Sequence, residues 1–99
     1  MKAKVFHYDM TNRDLVFELS MMPLPEVVSK AWQDGQYRLA FDLEFDMGVD
    51  EQANLDTVYV QTQDPHPMHK QRSTSVGDVI ILNGQGWVVM PFGFSAVTL

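Results

Sequence analysis

The chain has 99 residues, enough for one domain, 1–99, whose core is adequate but thin. Its 45% hydrophobic and 11% aromatic content excludes a disordered chain, and the absence of cysteine excludes disulfides, zinc–thiolate sites and a thiol nucleophile, which fits a reducing cytoplasm. Seven Lys and Arg against thirteen Asp and Glu leave a net charge of −6, which argues against generic nucleic-acid binding and fits solubility and a basic partner.

Lys2 to Tyr8 alternates loosely, is rich in Val, Phe and Tyr, and reads as a first strand. The positive start at Lys2 and Lys4 is followed at once by Val5-Phe6-His7-Tyr8-Asp9, which argues against a signal peptide. No apolar run exceeds about six residues, too short for a membrane-spanning helix. Asp9-Met10-Thr11-Asn12 reads as a turn, and residues 15–19 as a second short strand or an extended loop. Pro23 and Pro25 then break the chain. Pro25 suits a first helical turn, Val27, Val28, Ala31 and Trp32 follow helical spacing, and Gly35 closes a helix over roughly 25–34.

Residues 37–47 carry the cleanest periodicity. Tyr37, Leu39, Phe41, Leu43, Phe45 and Met47 alternate with more polar neighbours, which predicts a long strand with one buried and one wet face. An antiparallel or mixed sheet follows from that wet face. Residues 50–62 read two ways. Asp50 could cap a helix with Leu55, Val58, Tyr59 and Thr62 on one face, whereas Val58-Tyr59-Val60 suits a strand; the helix is preferred. A polar, proline-bearing loop runs over 63–72. Ser75-Val76-Gly77-Asp78 reads as a tight turn, residues 79–82 as a buried strand, and Asn83-Gly84 as a hairpin signal with a bulge at Gly86 beside it. Residues 87–90 return as the partner strand, ended by Pro91. The expected fold class is α+β: a small antiparallel or mixed sheet of four or five strands with one or two helices packed on one face. Trp32 and Trp87 would hold helix against hairpin.

Several constellations invite chemistry. His66 and His69, near Asp64, have the residue types of a metal or hydrolytic site, but Pro65 and Pro67 suit a solvated loop better. His7 belongs to a strand, where a core or edge histidine is the ordinary case. Ser73, Ser75 and Asp78 lack the strand-to-helix elbow of a nucleophilic serine, and these side chains suit turn amides instead. Gly84-Gln85-Gly86 lacks the lysine and the following helix of a phosphate loop. Arg72 with Tyr59 and Trp87 could stack on a nucleobase, against which the net charge argues. Asp42, Glu44 and Asp46 project from one strand face about 6.6–6.8 Å apart, a spacing near that of backbone phosphates. With Asp50, Glu51 and Asp56 they could mimic nucleic acid toward a DNA-handling enzyme, although a solvated, self-repelling sheet face explains them as well.

Val5-Phe6-His7-Tyr8 followed by Arg13-Asp14-Leu15, the segment 55–59, Asp64-Pro65-His66-Pro67, Ser73 through Ile80, and Gly93-Phe94 together resemble the YodL-like family. These are small domains of uncertain function found in bacteria and in phages and conjugative elements. Gly77 stands where that family more often has serine. The resemblance implies a helix over 54–62 and a mobile-element context, and offers no motif for a catalytic role. The expectation is therefore a non-enzymatic, cytoplasmic interaction module without cofactor or metal. It would bind a protein partner, or a second copy of itself, through a sheet edge or residues 21–24. Asp42, Glu44, Asp46, His66, Arg72 and Ser75 are the candidate contact residues.

Overall fold

The computed structural model describes residues 2–46, 48, 50–63 and 72–99. The elements in chain order are β1 (Lys2–Tyr8), α1 (Arg13–Leu19), α2 (Pro25–Gln33), β2 (Tyr37–Glu44), α3 (Glu51–Gln61), β3 (Val79–Leu82), β4 (Gln85–Val89) and β5 (Phe94–Val97). The five strands form one antiparallel sheet in the order β2-β1-β3-β4-β5. The α+β expectation holds.

The core has two halves, one on each sheet face. Ala3, Val5, Phe41, Ile80, Leu82 and Val89 bury one face against Leu55 and Val58 of α3. Tyr8, Val79, Val88 and Val97 bury the other against Leu15 and Leu19 of α1 and Val28 and Ala31 of α2. Among the described residues the helices thus number three and cover both faces, where the sequence suggested one or two on a single face. The additional helix is α1, over residues that read as a strand or loop. Leu15 and Leu19 stand four apart and point inward together, as helical geometry requires. The Asn12 side chain caps the helix by accepting from Leu15 N–H at 3.2 Å. Two signals of a helix start, a capping Asn and Asp14 in the first turn, outweigh the β-propensity of Leu-Val-Phe.

The strand over 37–47 is confirmed for residues 37–44, but its side chains do not all share one face. Val5 pairs with Phe41 while Phe6 pairs with Leu39, so Ala40 is an extra residue in β2. Residues opposite one another across a sheet share a face. Phe41 and Leu43 therefore face α3, whereas Tyr37 and Leu39, beyond the bulge, face the α1–α2 side. Leu39 remains 47% exposed there. The bulge expected at Gly86 is absent, for Gly86 pairs in regular register with Ile81 and Val97. Glycine fits there because a Cβ would come within 2.8 Å of the Leu99 side chain.

Asp50 caps α3 as expected, accepting from Ala53 N–H at 2.8 Å, and Leu55, Val58 and Thr62 are buried along its inner face. Asn83 and Gly84 adopt φ values of 52° and 77°, the paired positive angles of a type I′ hairpin between β3 and β4. β4 starts two residues earlier than the sequence suggested and ends at Val89. Trp32 packs edge-on against Phe6 in the α1–α2 half of the core, while Trp87 packs with the α3 half, so the two indoles do not meet. No helix among the described residues is long and apolar enough to cross a membrane.

Candidate functional site

The turn before β3 presents Asp78 to a ring of donors. Its side chain is fully buried and accepts four hydrogen bonds. Arg72 contributes two, from Nη1 to Oδ2 at 2.6 Å and from Nη2 to Oδ1 at 2.8 Å. Ser75 N–H donates to Oδ2 at 2.8 Å and Tyr8 N–H to Oδ1 at 3.2 Å. The fork-to-fork arrangement is the geometry in which guanidinium and carboxylate bind most strongly. Arg72 also donates to the carbonyls of Tyr8 and Ser73 and lies over the Tyr8 ring, 5.2 Å from its centroid. Asp78 thus ties the start of β3 to the end of β1 and to the segment that follows the 63–72 loop.

His7 lies beside this cluster, 2% exposed. Its Nε2 shares a hydrogen bond with the Thr74 hydroxyl at 3.2 Å and stands 3.8 Å from Asp78 Oδ2. Burial lowers its pKa to about 4; the nearby Asp78 charge pulls the other way, and the Arg72 and Arg38 charges add to the lowering. His7 is therefore a neutral core histidine at pH 7. Tyr37 donates its hydroxyl to Gly77 C=O at 2.6 Å, and burial raises its pKa strongly, with the Asp78 and Tyr8 charges adding to the effect. Tyr8 is raised for the same leading reason, burial. A cleft of about 570 Å³ opens outside the cluster, lined among others by His7, Tyr8, Tyr37, Arg38 and Arg72. Its Arg72 is already committed to Asp78. The Ser75 hydroxyl faces Arg72 Nη1 at a long 3.4 Å rather than a base. The cluster can hold a backbone, and its one hydroxyl–imidazole contact among the described residues, Thr74 with His7, is buried, at 1% and 2% exposure.

The candidate contact residues other than His66 can now be placed. Arg72 and Ser75 belong to the Asp78 clamp. Asp42, Glu44 and Asp46 are exposed, but Lys4 stands directly opposite Asp42 and Lys2 opposite Glu44 across the β1–β2 ladder. The acidic row thus alternates across the sheet with lysines of matching register. His66, with His69 and Asp64, lies outside the described residues. Among the described residues no group of three or more His, Asp or Glu side chains converges as a metal site. Tyr59 packs edge-on against Phe94, and Trp87 packs within the α3 half of the core, so Arg72, Tyr59 and Trp87 do not make one stacking platform.

A different surface stands out. Phe17 is 79% exposed, and Met21, Met22 and Leu24 are 71%, 57% and 49% exposed. All four lie within eight residues, at the outer face and C-terminal end of α1 and in its link to α2. Pro23, between them, is buried, which holds the link against the body. The sequence reading included 21–24 but missed Phe17, because a strand over 15–19 would turn Phe17 inward with Leu15 and Leu19. In a helix it lies opposite them. No family model, curated protein or solved structure matches the chain.

Proposed function

We propose that this chain is a small non-enzymatic interaction module that docks a protein partner through the outer face of the α1–α2 hairpin. The carrying observation is the clustering of Phe17, Met21, Met22 and Leu24, four exposed large apolar side chains within eight residues, whereas the other exposed ones among the described residues, Met10, Leu39, Val60, Phe92 and Leu99, lie apart from them along the chain. Fully burying a Phe, Met or Leu side chain is worth about 1.5–3 kcal/mol, so four in one patch supply much of what a specific complex needs. Methionine adapts readily to the shape of a partner.

Two alternatives draw less support. The outer edge of β2 carries the bulge at Ala40 together with Asp42 and Glu44, devices that discourage edge-to-edge pairing with another strand or another copy. An acidic mimic of nucleic acid needs an uninterrupted negative ridge, and Lys2 and Lys4 stand across from two of its three carboxylates. The YodL-like resemblance supports a phage or conjugative-element context for such a module, and the absence of cysteine fits a cytoplasmic setting.

Site-specific photocrosslinking in host cells tests the reading. A benzophenone side chain at position 17 should yield a discrete protein adduct, and the same group at Val60, exposed on α3 on the opposite sheet face, should not. Adducts at neither position, or equally at both, would reject the proposed surface.

A further inference from the structure

Beside the apolar patch runs a groove between α1 and α2, about 490 Å³ in volume. Leu15, Val27 and Ala31 make its apolar floor, and its walls carry Asp14 and Glu18 from α1 and Glu26 and Asp34 from α2. Among the described residues lining it Lys30 is the one that is basic, and its ammonium is 3.1 Å from Asp34. Four carboxylates against one ammonium leave the groove three charges negative. Phe17 and Glu18 are adjacent on the outer turn of α1, and Leu24 and Glu26 flank Pro25 at the start of α2. Phe17 and Asp14, three residues apart on α1, are neighbours on the helix surface, so the exposed ring borders one acidic wall of the groove.

Resting on the docking surface proposed above, we infer that its partner presents a cationic amphipathic helix, which lies in the α1–α2 groove as a third helix. Its apolar side covers Phe17, Met21 and the groove floor, and its Lys or Arg side chains meet Glu18, Glu26 and Asp14. Helix-in-groove recognition reads anchors spaced three, four and seven residues apart. Glu26 in the first turn of α2 and Asp34 at its C-cap, eight residues apart, span about 12 Å, enough for two turns of a docked helix. Charge complementarity sets which helix is admitted and how fast it arrives. A second copy of this chain fits poorly, because it would bring the same negative groove and a net charge of −6 to the contact. The negative walls equally oppose an anionic membrane surface.

The probe is a fluorescent 18-residue amphipathic helix of Leu and Lys, compared with its Leu and Glu counterpart, titrated with the full chain and followed by anisotropy and by amide NMR. The inference expects the Lys peptide to bind at least tenfold tighter than the Glu peptide. It also expects shifts concentrated at Val27, Ala31 and Phe17, at least tenfold weakening in Glu18→Lys/Glu26→Lys, and marked weakening between 50 and 500 mM salt as the charges are screened. Equal affinity for the two peptides overturns it, as does unchanged affinity in the double variant, or shifts gathered at Asp42 and Glu44. None of these outcomes touches the broader docking reading, which stands or falls with the adduct at position 17. A positive adduct with indifferent peptides would retain the surface and reject its cationic partner.

Discussion

At the residue scale the molecule turns on Asp78. A buried carboxylate is tolerated only when its charge and lone pairs are matched, and Arg72, Ser75 N–H and Tyr8 N–H match them. Asp78→Ala would strand a guanidinium and two amides, and should cost about 3–5 kcal/mol, read as a lower urea midpoint; a loss below about 1 kcal/mol would contradict the clamp. Ser75→Ala should cost under about 0.5 kcal/mol, because the backbone N–H and not the hydroxyl makes the strong bond. The sequence showed Ser75 and Asp78 as turn residues but could not separate them, since that depends on Arg72 and β1 approaching in space. His7 carries the pH dependence. Its folded pKa of about 4 lies below the ordinary imidazole value of 6.5, so the unfolded chain takes up the proton first on acidification. Its contribution is complete above pH 6.5 and is lost as pH falls toward 4. From pH 7 to pH 5 it removes about 2 kcal/mol. Urea titrations at the two pH values should show that loss in the parent chain and a clearly smaller one in His7→Leu.

At the element scale, what could be read from the sequence was periodicity and capping within each segment. β1, α2, α3 and the Asn83-Gly84 hairpin declare themselves by alternation, Pro25, Asp50 and turn residues. What could not be read depends on two segments meeting. The bulge at Ala40 exists because β1 and β2 fall out of step between Val5 and Phe6, and a uniform alternation over 37–47 gives no sign of it. Gly77 shows the same coupling. Its φ of +95° was expected of a turn glycine, but the close packing was not: a Cβ there would lie 2.7 Å from Leu19 C=O and 3.1 Å from the Tyr8 ring. Gly77→Ala therefore meets both backbone strain and the end of α1, and should lower stability by at least about 2 kcal/mol in thermal or urea unfolding. Gly84→Ala has a positive φ but open space around it, and should cost less than Gly77→Ala.

At the scale of the whole molecule, two helices on one face and one on the other enclose both sides of a small sheet, so every inward face is satisfied within the chain. Any large apolar side chain left outside is then not required for folding. Leu15 and Leu19 hold α1 to the sheet, while Phe17 on its outer side meets solvent. The fold and the proposed docking surface can therefore be separated by mutation within α1 and the two residues that follow it. Phe17→Ser/Met21→Ser should leave the urea midpoint within about 0.5 kcal/mol of the parent, as surface changes do. Leu19→Ala, fully buried, should cost about 2–5 kcal/mol by emptying a core position. If the surface double variant instead destabilised the chain as much as Leu19→Ala, the exposed face of α1 would be part of the fold's own support. Stability retained in the double variant, together with loss of the adduct formed by a benzophenone side chain placed at Leu24, would set Phe17 and Met21 outside the core and in the service of a partner.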